Sequence, residues 1–264
     1  MNTKPSLSAD QPWTAIAEDW AIIQEPQHRP LWMAMLQAAN VGKGMKVLDA
    51  GCGAGGGCFL AAHYGAEAYG FDGSADLVRL ARQRLPQGHF EVSDLTSPPF
   101  AGVSFRVITA ANSLQFSAEP LSALRVWKER LLPGQGSIVF GLWCPQDESE
   151  QIHIMRAIRG VLPNDPPGRS PFSLSERGML ESLLEQAGLI VKDARDVDIT
   201  FEYPDMEQCW RGLRSAGSMQ YAIQTGGEEL VKKTFIETAK QFLMTDGSVF
   251  IHNKMRYVLG QNFQ

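Results

Sequence analysis

No stretch of this 264-residue chain is apolar over transmembrane length, and no cluster of lysines or arginines gathers along it. The first absence argues against a membrane-spanning helix, which takes about 20 consecutive apolar residues. The second, with a formal net charge of −5, argues against a nucleic-acid partner, because such binding is driven mainly by neutralising phosphates. Cysteine is scarce. Cys52, Cys58, Cys144 and Cys209 are spaced neither as metal ligands nor as a disulfide framework. A reduced, cytoplasmic protein without a metal is therefore expected. The opening Met1-Asn2-Thr3-Lys4-Pro5 lacks the apolar core of a signal peptide. No internal repeat and no low-complexity segment is present.

What is present is glycine in one place. The apolar run Met45 to Leu48 ends in Asp49, and Gly51, Gly53, Gly55, Gly56 and Gly57 follow before the helix-compatible Phe59-Leu60-Ala61-Ala62. That order predicts a strand, a tight turn and a helix, the geometry that brings backbone N–H groups up to a ligand at a helix N-terminus. Two ligand templates fit at once. Gly51, Gly53 and Gly56 satisfy the G-x-G-x-x-G dinucleotide fingerprint, with Asp72 near the expected position of a ribose-binding acid. Asp49, Gly51, Gly53 and Gly55 also satisfy Asp-x-Gly-x-Gly-x-Gly. A carboxylate at the strand end repels a diphosphate and suits an ammonium group, so Asp49 favours the second template.

That second pattern resembles the first motif of the class I S-adenosylmethionine (SAM) methyltransferases. The resemblance is specific from Val47 to Trp143 and looser outside. Within the class the chain looks like the ubiquinone/menaquinone-biosynthesis (type 11) small-molecule group. The resemblance implies an α/β, Rossmann-like, seven-stranded and mostly parallel sheet with its last strand antiparallel. Helices cover both faces, and a helical lid comes from the N-terminus and a C-terminal insertion. It also implies SAM as cofactor and S-adenosylhomocysteine as product, a small-molecule substrate, and a monomer or homodimer. The expected layout is an N-terminal helical cap over 1–40 and a SAM-binding domain over 41–264, with lid insertions at about 144–173 and 204–246.

Along the chain, residues 1–12 read as loose, and helical spacing runs from Trp13 to Gln24. Pro30 opens a second helical stretch, Leu31 to Ala39. Strand two, Glu67 to Asp72, ends in an acid able to accept both ribose hydroxyls, with Gly73 beside it; a helix follows over Ala75–Leu85. After strand three, His89 to Val92, the resemblance assigns Asp94 to the adenine amino group and Leu95 to the ring face. Strand four leaves at Ala111 and Asn112, at the switch point where ligands collect, so Ala111 to Phe116 should face cofactor and substrate. A helix over Leu121–Leu132 and strand five, Ser137 to Trp143, come next. A short helix near Ile152 and a proline-rich connection through Gly168 lead to a helix expected from Ser173 to Ala187. The end of the chain reads as a strand over Leu189–Tyr203 interrupted near Lys192, helices Met206–Leu213 and Glu228–Leu243, and a last strand from Ser248.

The cofactor candidates are thus Asp49, Gly51, Cys52, Gly53, Gly55, Asp72, Gly73, Asp94, Leu95, Ala111 and Asn112. Trp20, Gln115 and Phe116 are the candidates for lining the substrate cavity. No catalytic base stands out; His28 and His153 lie in covering segments and are the candidates. Two rivals remain open at this point: a nicotinamide-dependent oxidoreductase, and a SAM-binding module without catalysis.

Overall fold

The computed structural model describes residues 16–165 and 169–263. Trp13 and the expected loose residues 1–12 lie outside that range, as do residues 166–168 of the proline-rich connection.

One seven-stranded sheet organises the described residues, in the order β3-β2-β1-β4-β5-β7-β6. Its members are β1 (Lys46–Ala50), β2 (Glu67–Asp72), β3 (His89–Val92), β4 (Val107–Ala111), β5 (Ser137–Trp143), β6 (Ile190–Tyr203) and β7 (Val249–Gln261). The first five pair in parallel, and β7 runs antiparallel to both β5 and β6. The expected fold class is the observed one. The cause is visible in the strands: all seven residues of β5 are buried, and its apolar run is what a strand covered on both faces requires. The chain order reverses at β1, which pairs β2 on one side and β4 on the other. A crevice therefore opens beyond the carboxyl ends of β1 and β4.

Helices cover both faces. Between residues 17 and 38 the chain is helical without a break, from α1 (Ala17–Asp19) through a π-turn, Trp20–Gln24, and a 3₁₀ turn, Glu25–His28, into α2 (Arg29–Ala38). The expected break between two separate helices is instead a change of hydrogen-bond register. Pro26 explains it, since it has no N–H to continue an i→i−4 ladder. Next come α3 (Gly56–His63), α4 (Ala75–Arg84), α5 (Pro120–Lys128), α6 (Gln151–Val161) and α7 (Met179–Gln186). The last three are α8 (Met206–Arg214), α9 (Gly217–Gly226) and α10 (Glu228–Ala239). One core packs Leu31, Met35, Val139, Phe201 and Trp210; the other, on the opposite face, packs Phe71, Ile108, Trp127, Phe140 and Leu184.

Two expected boundaries fail. Helix α7 starts at Met179 rather than Ser173, because Gly178 takes φ +85° and Arg177 is drawn into ion pairs with Glu148 and Asp196 at 2.7 and 3.0 Å. Helix α9 is not among the expected elements; its sequence is weakly amphipathic, yet Met219 and Ala222 are buried where it packs on α6, α8 and α10. The interruption expected near Lys192 is present as a register shift between Val191 and Asp193.

Candidate functional site

Chain reversal at the end of β1 is achieved by glycines in left-handed conformations. Gly51, Gly53 and Gly55 have φ of +79°, +56° and +82°, values that L side chains rarely adopt. Space is tight as well. A Cβ on Gly53 would lie 2.6 Å from Glu25 Oε1, and one on Gly55 would lie 2.9 Å from Ala81 Cβ. The N–H groups of Gly51 and Cys52 both donate to Phe71 O, at 2.8 and 2.9 Å. Gly53 N–H donates to Asp72 Oδ2 at 3.0 Å, and Ala54 N–H donates to Glu25 Oε1 at 2.6 Å. The turn is therefore tied to β2 and to the N-terminal helical strap together.

Three carboxylates converge on this turn. Asp49 is buried; its Oδ1 accepts from Thr109 Oγ1 at 2.7 Å, and its Oδ2 lies 2.8 Å from the place of a Cβ on Gly57. Burial pushes its carboxyl up to about 6; the Thr109 hydrogen bond opposes the rise and Asp72 adds to it. Glu25 is buried too, and burial pushes it up to about 7 against the pull of the Arg84 guanidinium with which it is ion-paired. Asp72 accepts from Gly53 N–H through one oxygen and from Ser74 N–H at 2.9 Å through the other. It does not cap α4. That place belongs to Ser74, whose Oγ accepts Leu77 N–H at 3.3 Å, and Gly73 between them is exposed.

The remaining candidates are placed unevenly. Leu95 lies against the turn, its Cδ2 3.7 Å from where a Cβ on Gly51 would be, and its carbonyl accepts Trp127 Nε1–H at 2.7 Å. Asp94 is exposed, and its Oδ1 accepts from Thr96 N–H and Oγ1–H, at 2.8 and 2.6 Å, closing a local turn. Ala111 ends β4, and Asn112 leaves it with φ +54° while its N–H donates to Gly141 O at 2.6 Å.

Beside the turn is a cavity. Trp20, Phe116 and Asn112 line it, with Trp143 and Phe201 from the sheet, and Leu213 of α8 and Met219 of α9 complete the wall. Gln115 does not line it: the side chain is fully buried behind Asn112, to whose Oδ1 it donates. His153 does not reach it either, because it lies on the exposed side of α6 while Ile152 and Ile154 face inward. His28 does line it. Nothing in the sequence singled out Glu25, whose partner Ala54 lies 29 residues further on. Trp32, which the sequence offers beside Trp20 as a cavity-lining tryptophan, is not among the lining residues; its ring lies 2.5 Å from the place of a Cβ on Gly56. No local periodicity encodes such neighbours.

The thiols of Cys52 and Cys58 are buried at the turn and pushed well up by burial. One other cluster, Cys144 with Glu148 and Asp196, brings ligand atoms within 4.8 Å of one another. Its carboxylates are already taken by Arg177, Arg256 and Lys254, so it is an ion-pair network on the sheet edge.

Residues 47–134 match a family model described as a methyltransferase domain. Phosphoethanolamine N-methyltransferase 1 of Arabidopsis thaliana is 26% identical over 172 residues, covering 63% of this chain and 32% of that protein. Trans-aconitate 2-methyltransferase of Rhodopseudomonas palustris (strain HaA2) is 31% identical over 180 residues, covering 65% of this chain and 64% of that one. The chain thus spans about a third of the first relative's length and under two thirds of the second's. Among solved structures, the YcgJ protein from Bacillus subtilis superposes with a TM-score of 0.61 at 20% identity, covering 90% of this chain and all of that one. Sheet order and glycine turn define a Rossmann-like α/β fold, and the segment matched within it is similar to a methyltransferase domain. Over residues 47–134 the chain is similar to methyltransferase domains, in line with the class I SAM-dependent resemblance of its glycine motif. The ubiquinone/menaquinone subgroup is not singled out by these similarities.

Proposed function

We propose that the chain transfers the methyl group of SAM to a small, partly apolar molecule. One observation carries this reading: Glu25, Asp49 and Asp72 converge on the glycine turn, where Arg84 is the guanidinium paired with Glu25. Two of these acids are held above their ordinary range by burial, so the site is short of positive charge. A cationic amino-acid tail supplies it, whereas a diphosphate adds repulsion at short range in a partly buried setting. This disfavours a nicotinamide dinucleotide despite the overlapping fingerprint.

In this reading Asp49, Gly51, Cys52, Gly53 and Gly55 surround the methionine tail, Asp49 acting largely through its field from behind Gly57. Asp72 and Gly73 take the ribose, Asp94 and Leu95 the adenine, and Ala111 with Asn112 the floor between cofactor and acceptor. Asp94 turns away from its Thr96 contacts to do so. When bound, the sulfonium supplies an activated methyl carbon. The chain's part is to hold the acceptor atom within roughly 3–3.5 Å of that carbon and to keep water out. The aromatic walls of the cavity suit that task.

For the domain layout we propose the one the sequence implies: an N-terminal cap over 1–40, a SAM-binding domain over 41–264, and lid insertions at about 144–173 and 204–246. No helix among the described residues is long and apolar enough to cross a membrane. We read the protein as cytoplasmic, metal-independent, and monomeric or homodimeric. Calorimetry tests the cofactor: SAM and S-adenosylhomocysteine are expected to bind, and NADH is not. Binding of NADH without SAM overturns the reading. Radiolabelled methyl transfer to a metabolite extract separates an enzyme from a silent SAM-binding module.

A further inference from the structure

Among the described residues, none that lines the cavity beside the glycine turn carries a charge. Besides the indole N–H groups of Trp20 and Trp143, its polar side chains are the amides of Gln24, Gln151 and Asn112, the Ser218 hydroxyl and the imidazole of His28. The imidazole is enclosed by rings: centroids of Trp20, Trp143 and Phe201 lie 5.9, 6.1 and 5.5 Å from its own, and Trp32 lies at 6.4 Å. His28 Nε2 is buried with no hydrogen-bond partner. Such an atom is costly to leave unpaired, and a group in that position asks for a ligand that completes it. The carbonyls of Glu25 and Gln24 face the same ring and attract its proton, while burial keeps the ring neutral, down to about 4. A neutral ring with Nδ1–H turned to backbone leaves Nε2 as an acceptor.

We infer that the methyl acceptor is an uncharged, largely apolar molecule whose hydroxyl or N–H group donates to His28 Nε2, and that His28 takes its proton. The inference rests on the methyltransferase reading above and narrows it. The bond that forms joins the acceptor's oxygen or nitrogen to the methyl carbon. The bond that breaks is S–CH₃, whose electron pair stays on sulfur. The acceptor's proton moves to His28 Nε2, and the resulting imidazolium later releases it to water. Phosphorylated or polycarboxylate acceptors, of the kind named for the two relatives above, find no cation among the described lining residues. Their burial there is opposed by desolvation with no compensating partner.

The test uses the full chain saturated with S-adenosylhomocysteine and three probes: 2-naphthol, its methyl ether, and 2-naphthyl phosphate. 2-Naphthol is expected to bind at least about tenfold more tightly than the other two, the size of effect one buried hydrogen bond supports. His28→Phe is expected to erase its advantage over the methyl ether. His28→Gln, which keeps an acceptor, is expected to retain most of it, and both variants should bind S-adenosylhomocysteine as the parent does. Turnover with labelled SAM at pH 8 adds a second readout. 2-Naphthalenethiol, already ionised, has no proton to lose, so His28→Phe should slow its methylation far less than that of 2-naphthol, which is expected to fall about 100-fold. Equal loss for both acceptors, retained preference in His28→Phe, or tighter binding of the phosphate overturns the assignment and leaves the cofactor reading standing. Failure of S-adenosylhomocysteine to bind at all overturns the cofactor reading, and this inference with it.

Discussion

Glu25 reaches across 29 residues to accept the backbone N–H of Ala54 at 2.6 Å, clamping the helical strap onto the glycine turn. The Glu25 carboxyl is also ion-paired with Arg84, whose other nitrogen donates to Ala21 O at 2.7 Å. Removing the carboxyl leaves a buried N–H without its acceptor. Glu25→Ala is therefore expected to cost about 1–3 kcal/mol of stability, read by chemical denaturation at pH 5.

Burial sets a pH dependence with a definite sign. The folded-state value for Glu25 is about 7, above the ordinary 4.5. Folding therefore favours the protonated form, and that stabilisation is lost as pH rises through about 7. In the ligand-free protein Tm should fall between pH 5 and 8. Glu25→Gln, which cannot titrate, should flatten that slope. An unchanged slope in the variant would show that another group sets it.

Ligand binding runs the other way. Asp49 and Glu25 must be ionised to attract a cationic cofactor, and they lie at about 6 and about 7 in the ligand-free protein. SAM affinity should weaken as pH falls from 8 to 5, and SAM binding near pH 6.5 should release protons, measurable by calorimetry in buffers of different ionisation enthalpy. Asp49→Asn should weaken SAM binding at pH 8 by about 1–3 kcal/mol, as loss of a buried charge partner does.

Asp72 links the turn to β2 through Gly53 N–H and carries the proposed ribose contact. Asp72→Ala is expected to weaken binding of SAM and S-adenosylhomocysteine alike, by about 1–3 kcal/mol. Equal affinities for parent and variant would remove Asp72 from the site.

Gly55 combines a φ of +82° with a close approach to Ala81. Gly55→Ala meets both the left-handed penalty and a 2.9 Å contact, so a loss of about 2 kcal/mol or more is expected in thermal or urea unfolding.

Much of the architecture is carried locally. Glu67–Asp72 and Ser137–Trp143 are strands as their apolar runs require, and the glycines after Asp49 bend as their spacing demands. Such signals lie within a few residues of one another, so the chain alone determined the sheet, the turn and the acids at the ends of β1 and β2. Tertiary packing decided the rest. It put Glu25 on Ala54, buried Gln115 behind Asn112, turned His153 outward and His28 inward. Each of those outcomes depends on packing between segments far apart in the chain, and neighbours brought together in that way leave no periodicity for the sequence to display.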